Sequence, residues 1–223
     1  MDNRIAKALK ASLSAYKENV QNEIEDVEAE LIAVFESEES YMQKVELLDQ
    51  FFDNHPVYDA LREITFDLLL MNFFAADVSK LEEDYLESEE WEFIEEQTID
   101  RGTELLNLLL YLRECLDEDL EPELDDFLKE FLLVDEDEFQ DEYRIYEPLL
   151  ANQILIESSF QEIYKVADKI EENQELVELF YPIMSFFMEK EPDKKQLEEY
   201  THISNNRAFD TAIYALIIAY YQK

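Results

Sequence analysis

Glycine is almost absent from this chain, which has one glycine, Gly102, and five prolines among 223 residues. β-Sheets depend on tight turns, and tight turns favour Asn-Gly, Asp-Gly or a lone Gly where the backbone φ is positive. Neither dipeptide occurs in the sequence. The chain therefore favours helices joined by short connections over a sheet, and we expect an all-α fold.

The apolar content is sufficient for a packed core. Apolar residues make up 47% of the sequence and include 15 Phe and 13 Tyr, whereas disordered acidic chains are poor in aromatic residues. No Ser-rich or Gly-rich linker interrupts the chain. We therefore predict a compact domain of about 9–11 helices, with residues 1–223 forming a single unit. The two most apolar helices, over residues 64–76 and 208–221, should be buried at its centre.

Hydrophobic periodicity predicts one long N-terminal helix over about residues 3–36. Apolar residues recur every three or four positions from Ile5 to Phe35, as on one face of a helix. Charge along this segment is segregated, because residues 3–17 carry four bases and no acid while the remainder is acidic. The further predicted helices cover residues 39–54, 56–76, 79–87, 89–116, 121–133, 136–146, 148–171, 174–189, 193–200 and 205–221.

Proline and glycine supply the predicted helix boundaries. Proline favours the first turn of a helix, so we expect Pro182 to kink or break its helix and the other prolines to begin helices. Gly102 should divide the 89–116 segment, with Thr103 capping the second half. Apolar runs that begin at Glu104 and Glu175 reach a proline 18 and 17 residues later. This pattern is typical of a repeated helical hairpin, although two copies also arise by chance. The prolines expected to begin helices are Pro56, Pro122, Pro148 and Pro192.

Negative charge is concentrated in three stretches. The formal net charge is -39, from 57 acids and 18 bases. Residues 18–43 hold nine acids and no base, residues 82–100 hold ten and no base, and residues 114–142 hold fifteen against Lys129 alone. Because these stretches contribute -33 of the total, the sequence predicts a polarised molecule with an acidic side.

An acid excess of this size selects among partners. It repels nucleic acid phosphates and anionic membranes, and it attracts basic proteins and speeds encounter with them. Carboxylates on a helix can approach the charge spacing of DNA, so such a face can occupy the cleft of a nuclease, as in nucleic-acid mimicry or toxin immunity. The predicted partner-binding residues are Glu89, Glu90, Trp91, Glu92, Asp117, Glu118, Asp119, Glu121, Asp125, Asp126, Asp135, Glu136, Asp137 and Glu138.

Two alternatives to partner binding remain open. The acidic runs are also typical of a solvated face that keeps a protein soluble without a charge-specific role. Trp91, which stands among glutamates, is either an anchor for a partner or a core residue. The second alternative is a metal site or enzyme at Glu199-x-x-His202, because Glu-x-x-His on a helix places a carboxylate and an imidazole on one face. Such a site would draw further ligands from Asp53, His55, Asp67, Glu104, Glu157 or Asp210.

The sequence favours a non-enzymatic protein without a cofactor. A single glycine excludes a phosphate-binding glycine loop, and no GxSxG motif occurs. Buried carboxylates are usually paired, so we expect Asp67, Glu104 and Asp210 to contact arginines rather than to perform chemistry. Cys115 is the only cysteine, and its helical spacing from Leu112 predicts a buried thiol.

The sequence also predicts a soluble, cytoplasmic protein. Residues 1–20 lack the apolar segment of a signal peptide. The most apolar stretch, residues 208–221, is shorter than the roughly 20 residues that a membrane-spanning helix needs. The oligomeric state stays open.

Overall fold

The computed structural model describes residues 1–20, 25–77, 80, 83–133, 136–171, 174 and 176–222. These residues form a compact all-α structure without a β-strand, which confirms the predicted fold class. The α-helices are α1 (Asn3–Asn19), α2 (Glu28–Glu36), α3 (Tyr41–Asn54), α4 (Arg62–Ala76), α5 (Glu83–Leu86), α6 (Glu89–Thr98), α7 (Leu105–Asp117), α8 (Leu124–Leu132), α9 (Glu136–Ala151), α10 (Phe160–Ala167), α11 (Phe180–Met188), α12 (Lys194–Ile203) and α13 (Arg207–Tyr221). Among the described residues, short 3₁₀ helices cover Pro56–Leu61 and Gln153–Glu157.

The core is centred on the packing of α1 against α13, which is the most extensive helix contact of the described residues. Helix α13 is buried on most of its faces, as is α4, in agreement with their apolar sequences. One continuous cluster of buried side chains includes Ile5 of α1 and Tyr220 of α13. Of the described helices, none combines the length and the apolar character that crossing a membrane requires.

The predicted N-terminal helix over residues 3–36 is wrong, because the chain folds back on itself. Lys10 Nζ lies 3.2 Å from Glu28 Oε1, and Lys17 Nζ lies 3.3 Å from Asp26 Oδ2. In one straight helix, residues 10 and 28 would be about 27 Å apart. The helix instead ends at Asn19, and Val20 has an extended backbone. The basic half and the acidic half of the segment therefore face each other; residues 21–24 lie outside the described residues.

The prolines mark boundaries less directly than expected. Pro56 begins a 3₁₀ helix, and Pro122 and Pro192 each precede the N-cap residue of the next helix. Pro148 does not begin a helix but lies in the last turn of α9. Pro182 does not kink a helix, since it is the third residue of α11. Backbone N–H groups in a first turn have no partner within the helix, so proline removes nothing there.

Gly102 divides α6 from α7, as the sequence predicts. Its φ of +85° is a conformation that residues with a Cβ rarely adopt. Thr103 follows, and its hydroxyl accepts a hydrogen bond of 3.1 Å from the Leu105 N–H at the start of α7. The predicted helical hairpins do not pack alike, because α8 contacts α7 and α9 whereas the main contacts of α12 are with α10 and α13.

Candidate acidic binding surface

The connection between α7 and α8 positions a group of carboxylates. Helix α7 ends at Asp117, and Asp119 has a left-handed backbone with φ +56°. The Leu120 N–H then donates to the Cys115 carbonyl at 2.7 Å, as in a helix C-terminal turn. The Tyr111 hydroxyl donates to the Glu123 carbonyl at 3.1 Å and accepts from the Glu123 N–H at 2.9 Å. These bonds hold the start of α8 against α7.

A cavity of about 470 Å³ opens between α7, α8 and this connection. Tyr111, Cys115 and Leu120 supply its uncharged lining. No lysine or arginine of the described chain lines it. We call this cavity the acidic cleft, and its carboxylates are Glu114, Glu121, Glu123, Asp126 and Glu130.

The acidic cleft changes the ionisation of one of its own members. Partial burial, and then the negative charge of the neighbouring Glu114, raise the pKa of Glu130 to about 7. Two carboxylates that approach each other cannot both ionise without electrostatic cost. Lysines offset two of the cleft charges, because Lys190 Nζ lies 2.9 Å from Glu121 Oε1 and Lys129 Nζ lies 3.4 Å from Asp126 Oδ1. Lys190 lines a neighbouring cavity of about 560 Å³ that shares Leu120 and Glu121 with the acidic cleft.

Most of the predicted binding residues near α7 and α8 lie outside the acidic cleft. Asp117 is contacted by Arg4 at 3.3 Å and by Arg113 at 3.8 Å. Glu118 is exposed beyond the end of α7, and Asp119 forms the turn. Asp125 and Asp126 both pair with Lys129 of the same helix. Of the predicted residues, the cleft includes Glu121 and Asp126.

Sequence reasoning missed three of the five cleft carboxylates, Glu114, Glu123 and Glu130. Asp126 and Glu130 are spaced four apart, so a shared face of α8 was readable from the sequence. That this face meets Glu114 of α7 depends on how two helices pack, which periodicity does not give.

The α6 residues of the prediction form a separate surface. Glu89, Glu90 and Glu92 are exposed. Trp91 is half-buried, and its ring centre lies 5.4 Å from that of Phe74 in α4. Trp91 therefore packs on the core, and no described residue of α6 lines the acidic cleft. Asp135 and the side chains of Glu136, Asp137 and Glu138 lie outside the described residues.

The metal alternative finds no cluster of ligands in the described part of the chain. Glu199 and His202 are both exposed on α12. His55 Nε2 contacts Glu30 Oε2 at 3.0 Å. No three His, Cys, Asp or Glu side chains of the described residues come together in a geometry that could hold a metal ion.

The core carboxylates occupy separate hydrogen-bond networks. Asp67 is fully buried, and it accepts hydrogen bonds from the Thr103 N–H at 3.0 Å and the Thr103 hydroxyl at 2.5 Å. Burial raises the pKa of Asp67 well above its usual value. Asp210 accepts from the Ser204 hydroxyl at 2.5 Å, and burial raises its pKa to about 6. Glu104 accepts from the Tyr146 hydroxyl at 2.5 Å.

Hydroxyl groups thus hold these carboxylates, where we expected arginines. Arg101 contacts Asp49 at 3.1 Å and Glu63 at 3.0 Å. Arg62 contacts Asp49, Asp53 and Asp59 at 2.8–3.3 Å. The two arginines therefore pair with carboxylates of α3, of the 3₁₀ helix that follows it and of α4, where water remains available to the charges.

Comparisons with protein-family models, with curated proteins and with solved structures found no match to this chain.

Proposed function

We propose that this protein binds a basic protein partner, and that the acidic cleft receives a lysine or arginine side chain of that partner. One observation carries the proposal: five carboxylates line a single cavity, and no base among the described residues lines it with them. Lys190 reaches Glu121 from outside the cavity. Lys129 likewise reaches Asp126 at 3.4 Å. The other three carboxylates, Glu114, Glu123 and Glu130, supply acceptors for a charge-assisted hydrogen bond.

An incoming ammonium or guanidinium would relieve repulsion that already exists in the cleft. The raised pKa of Glu130 reflects partial burial together with the nearby charge of Glu114. A cation placed between these two groups favours the charged form of both. The net charge of -39 adds long-range attraction, which speeds the encounter with a basic protein at low ionic strength.

A protein is a better candidate for this partner than a nucleic acid or an anionic membrane. Both of the latter present phosphate charges of the same sign as this chain. The cleft has a tyrosine, a cysteine and a leucine in its lining, which suits the aliphatic stem of a lysine or arginine side chain. The alternative, that the acidic residues form a solvated face without a charge-specific role, predicts a different result in the following test.

The test compares two variants that lose the same number of carboxyl groups. The cleft variant replaces Glu114, Glu123 and Glu130 with Gln and Asp126 with Asn. The matched control replaces the exposed residues Glu36, Glu38, Glu46 and Glu157 with Gln. Binding of a fluorescently labelled octalysine peptide is measured by anisotropy at several salt concentrations.

We expect the cleft variant to bind octalysine about 10 to 50 times more weakly than the wild type at low salt, since each exposed pair contributes roughly 0.2 to 1 kcal/mol. The control should lose less than about threefold, through the reduced long-range field alone. Equal losses in both variants would show that the peptide responds to total charge, as the solvated-face interpretation requires. Unfolding curves confirm that both variants remain folded.

A further inference from the structure

A second cavity, of about 570 Å³, lies between the start of α3, the end of α4 and the helix α6. Its lining is more apolar than that of the acidic cleft and includes Met42, Leu69, Phe73, Phe93 and Ile94. We call it the α6 groove. Phe93 is 54% exposed at this groove, although a large aromatic side chain of a folded protein usually finds a place in the core.

The α6 groove is bordered by an acidic helix. Glu39 and Glu90 line the groove itself. Along α6, Glu89, Glu92, Glu95 and Glu96 are all exposed. An apolar groove with an exposed aromatic side chain beside charged residues suits a protein partner, because a buried aromatic or aliphatic anchor contributes most of the affinity at protein interfaces.

The two lysines that line the α6 groove are already engaged. Lys44 Nζ donates to the Phe35 carbonyl at 2.7 Å. Lys80 Nζ lies 3.7 Å from the centre of the Phe73 ring, a cation–π contact. Both lysines keep their positive charge and offset Glu39 and Glu90 in the lining. The excess of negative charge in this region comes from the other exposed glutamates of α6, and its complement is a positively charged segment.

We infer that the α6 groove binds a basic segment of a partner protein and takes one large apolar side chain of that segment, such as tryptophan. This inference rests on the proposed function, because it assigns the apolar anchor of the same kind of partner. The acidic cleft contacts a lysine or arginine side chain of the partner. The α6 groove selects partner segments that carry a large apolar residue next to their basic residues.

Two synthetic peptides separate the groove from the cleft. One is octalysine with tryptophan at its fourth position, and the other carries serine there. We expect the wild type to bind the tryptophan peptide about 5 to 10 times more tightly, from partial burial of one aromatic side chain. Phe93→Ser should reduce this ratio to about 1 to 2 without changing the affinity for the serine peptide. Ile154→Ser, which also removes an exposed apolar side chain, is the matched control and should leave the ratio unchanged.

Because Phe93→Ser changes the sequence of α6, a second variant changes the groove from α4. Ala76 is exposed and lines the groove, so Ala76→Trp should fill it and abolish the preference while α6 keeps its sequence. The cleft variant should weaken the binding of the serine peptide and should not remove the preference for tryptophan. If the wild type binds both peptides equally, or if both groove variants still prefer the tryptophan peptide, the inference about the groove is wrong. Binding of octalysine would then still support the proposed function. If neither peptide binds at low salt, the proposed function and the inference about the groove are both wrong. If the wild type prefers the tryptophan peptide but the cleft variant binds as tightly as the wild type, only the role of the acidic cleft is wrong.

Discussion

The Oδ1 atom of Asp67 occupies the space into which a side chain on residue 102 would project. A Cβ added to Gly102 would stand 2.6 Å from this oxygen, well inside van der Waals contact. Asp67 cannot retreat easily, because it is fully buried and held by two hydrogen bonds from Thr103. The only glycine of the chain is therefore required by its neighbour as well as by its own backbone.

Gly102→Ala should destabilise the protein by about 2 to 4 kcal/mol, since backbone strain at positive φ adds to the clash with Asp67. Urea unfolding measures the change. Asp100→Ala, at an exposed residue of the same connection, serves as control and should shift stability by less than about 0.5 kcal/mol. A Gly102→Ala protein as stable as the wild type would mean that Asp67 is free to move.

Thr103→Val should cost about 2 to 3 kcal/mol, because it removes the hydroxyl that donates to the buried Asp67 and accepts from the Leu105 N–H at the start of α7. The variant keeps the shape of the side chain, so packing alone predicts little change. Thr103→Ser retains the hydroxyl and should cost under about 1 kcal/mol. If serine proves as damaging as valine in urea unfolding, the methyl group rather than the hydroxyl holds this site.

The sequence predicts the local structure around Gly102 correctly, but it does not predict that the chain reverses between α1 and α2. One glycine followed by a threonine between two periodic runs predicts a break and a cap from nearest neighbours alone. Between α1 and α2 the apolar periodicity continues without a break, so it predicts a single helix. The reversal depends on contacts between distant residues, such as Lys10 with Glu28, and local patterns do not contain them.

The candidate binding site could likewise be predicted only in part. The density of acids between residues 114 and 142 is visible in the sequence. Which of them share a cavity is decided by the approach of α7 to α8, which brings Glu114 near Glu130. The sequence therefore predicts the segment correctly as acidic but does not select the residues that line the cleft.

Asp210 should make stability fall as pH rises from about 4 to about 6. Its pKa of about 6 in the folded protein exceeds the usual value of 3.8, so the folded state holds a proton that the unfolded state has lost. The stabilisation is present below pH 3.8 and disappears through pH 6, with a loss on the order of 2 to 3 kcal/mol.

Asp210→Asn isolates this contribution from other acids with raised pKa values, because the amide keeps an acceptor for Ser204 and does not titrate. The difference between wild-type and variant unfolding free energies should change across pH 4 to 6 and stay constant above pH 7. Asp168→Asn, at an exposed residue, should give a constant difference throughout. A constant difference for Asp210→Asn as well would place its pKa near that of an ordinary aspartate.

Glu130 should make the binding of octalysine depend on pH near neutrality. Its pKa of about 7 leaves it partly protonated at pH 6.5, and Glu114, Asp126, Tyr111 and Cys115 line the same cleft. A lysine ammonium favours the ionised carboxylate, so affinity should rise about three- to fivefold from pH 6 to pH 8 with release of a proton. Anisotropy titrations at constant salt measure the rise, and calorimetry in buffers of different ionisation enthalpy measures the proton.

Glu130→Gln should flatten this dependence, because the variant has no carboxyl group at that position to titrate. Glu118→Gln removes one exposed charge beyond the end of α7 and should keep the rise. Any other group that titrates in this range contributes equally to both variants, so the comparison cancels it. A rise that is the same in Glu130→Gln and Glu118→Gln would mean that another group causes it, and would remove Glu130 from the binding site.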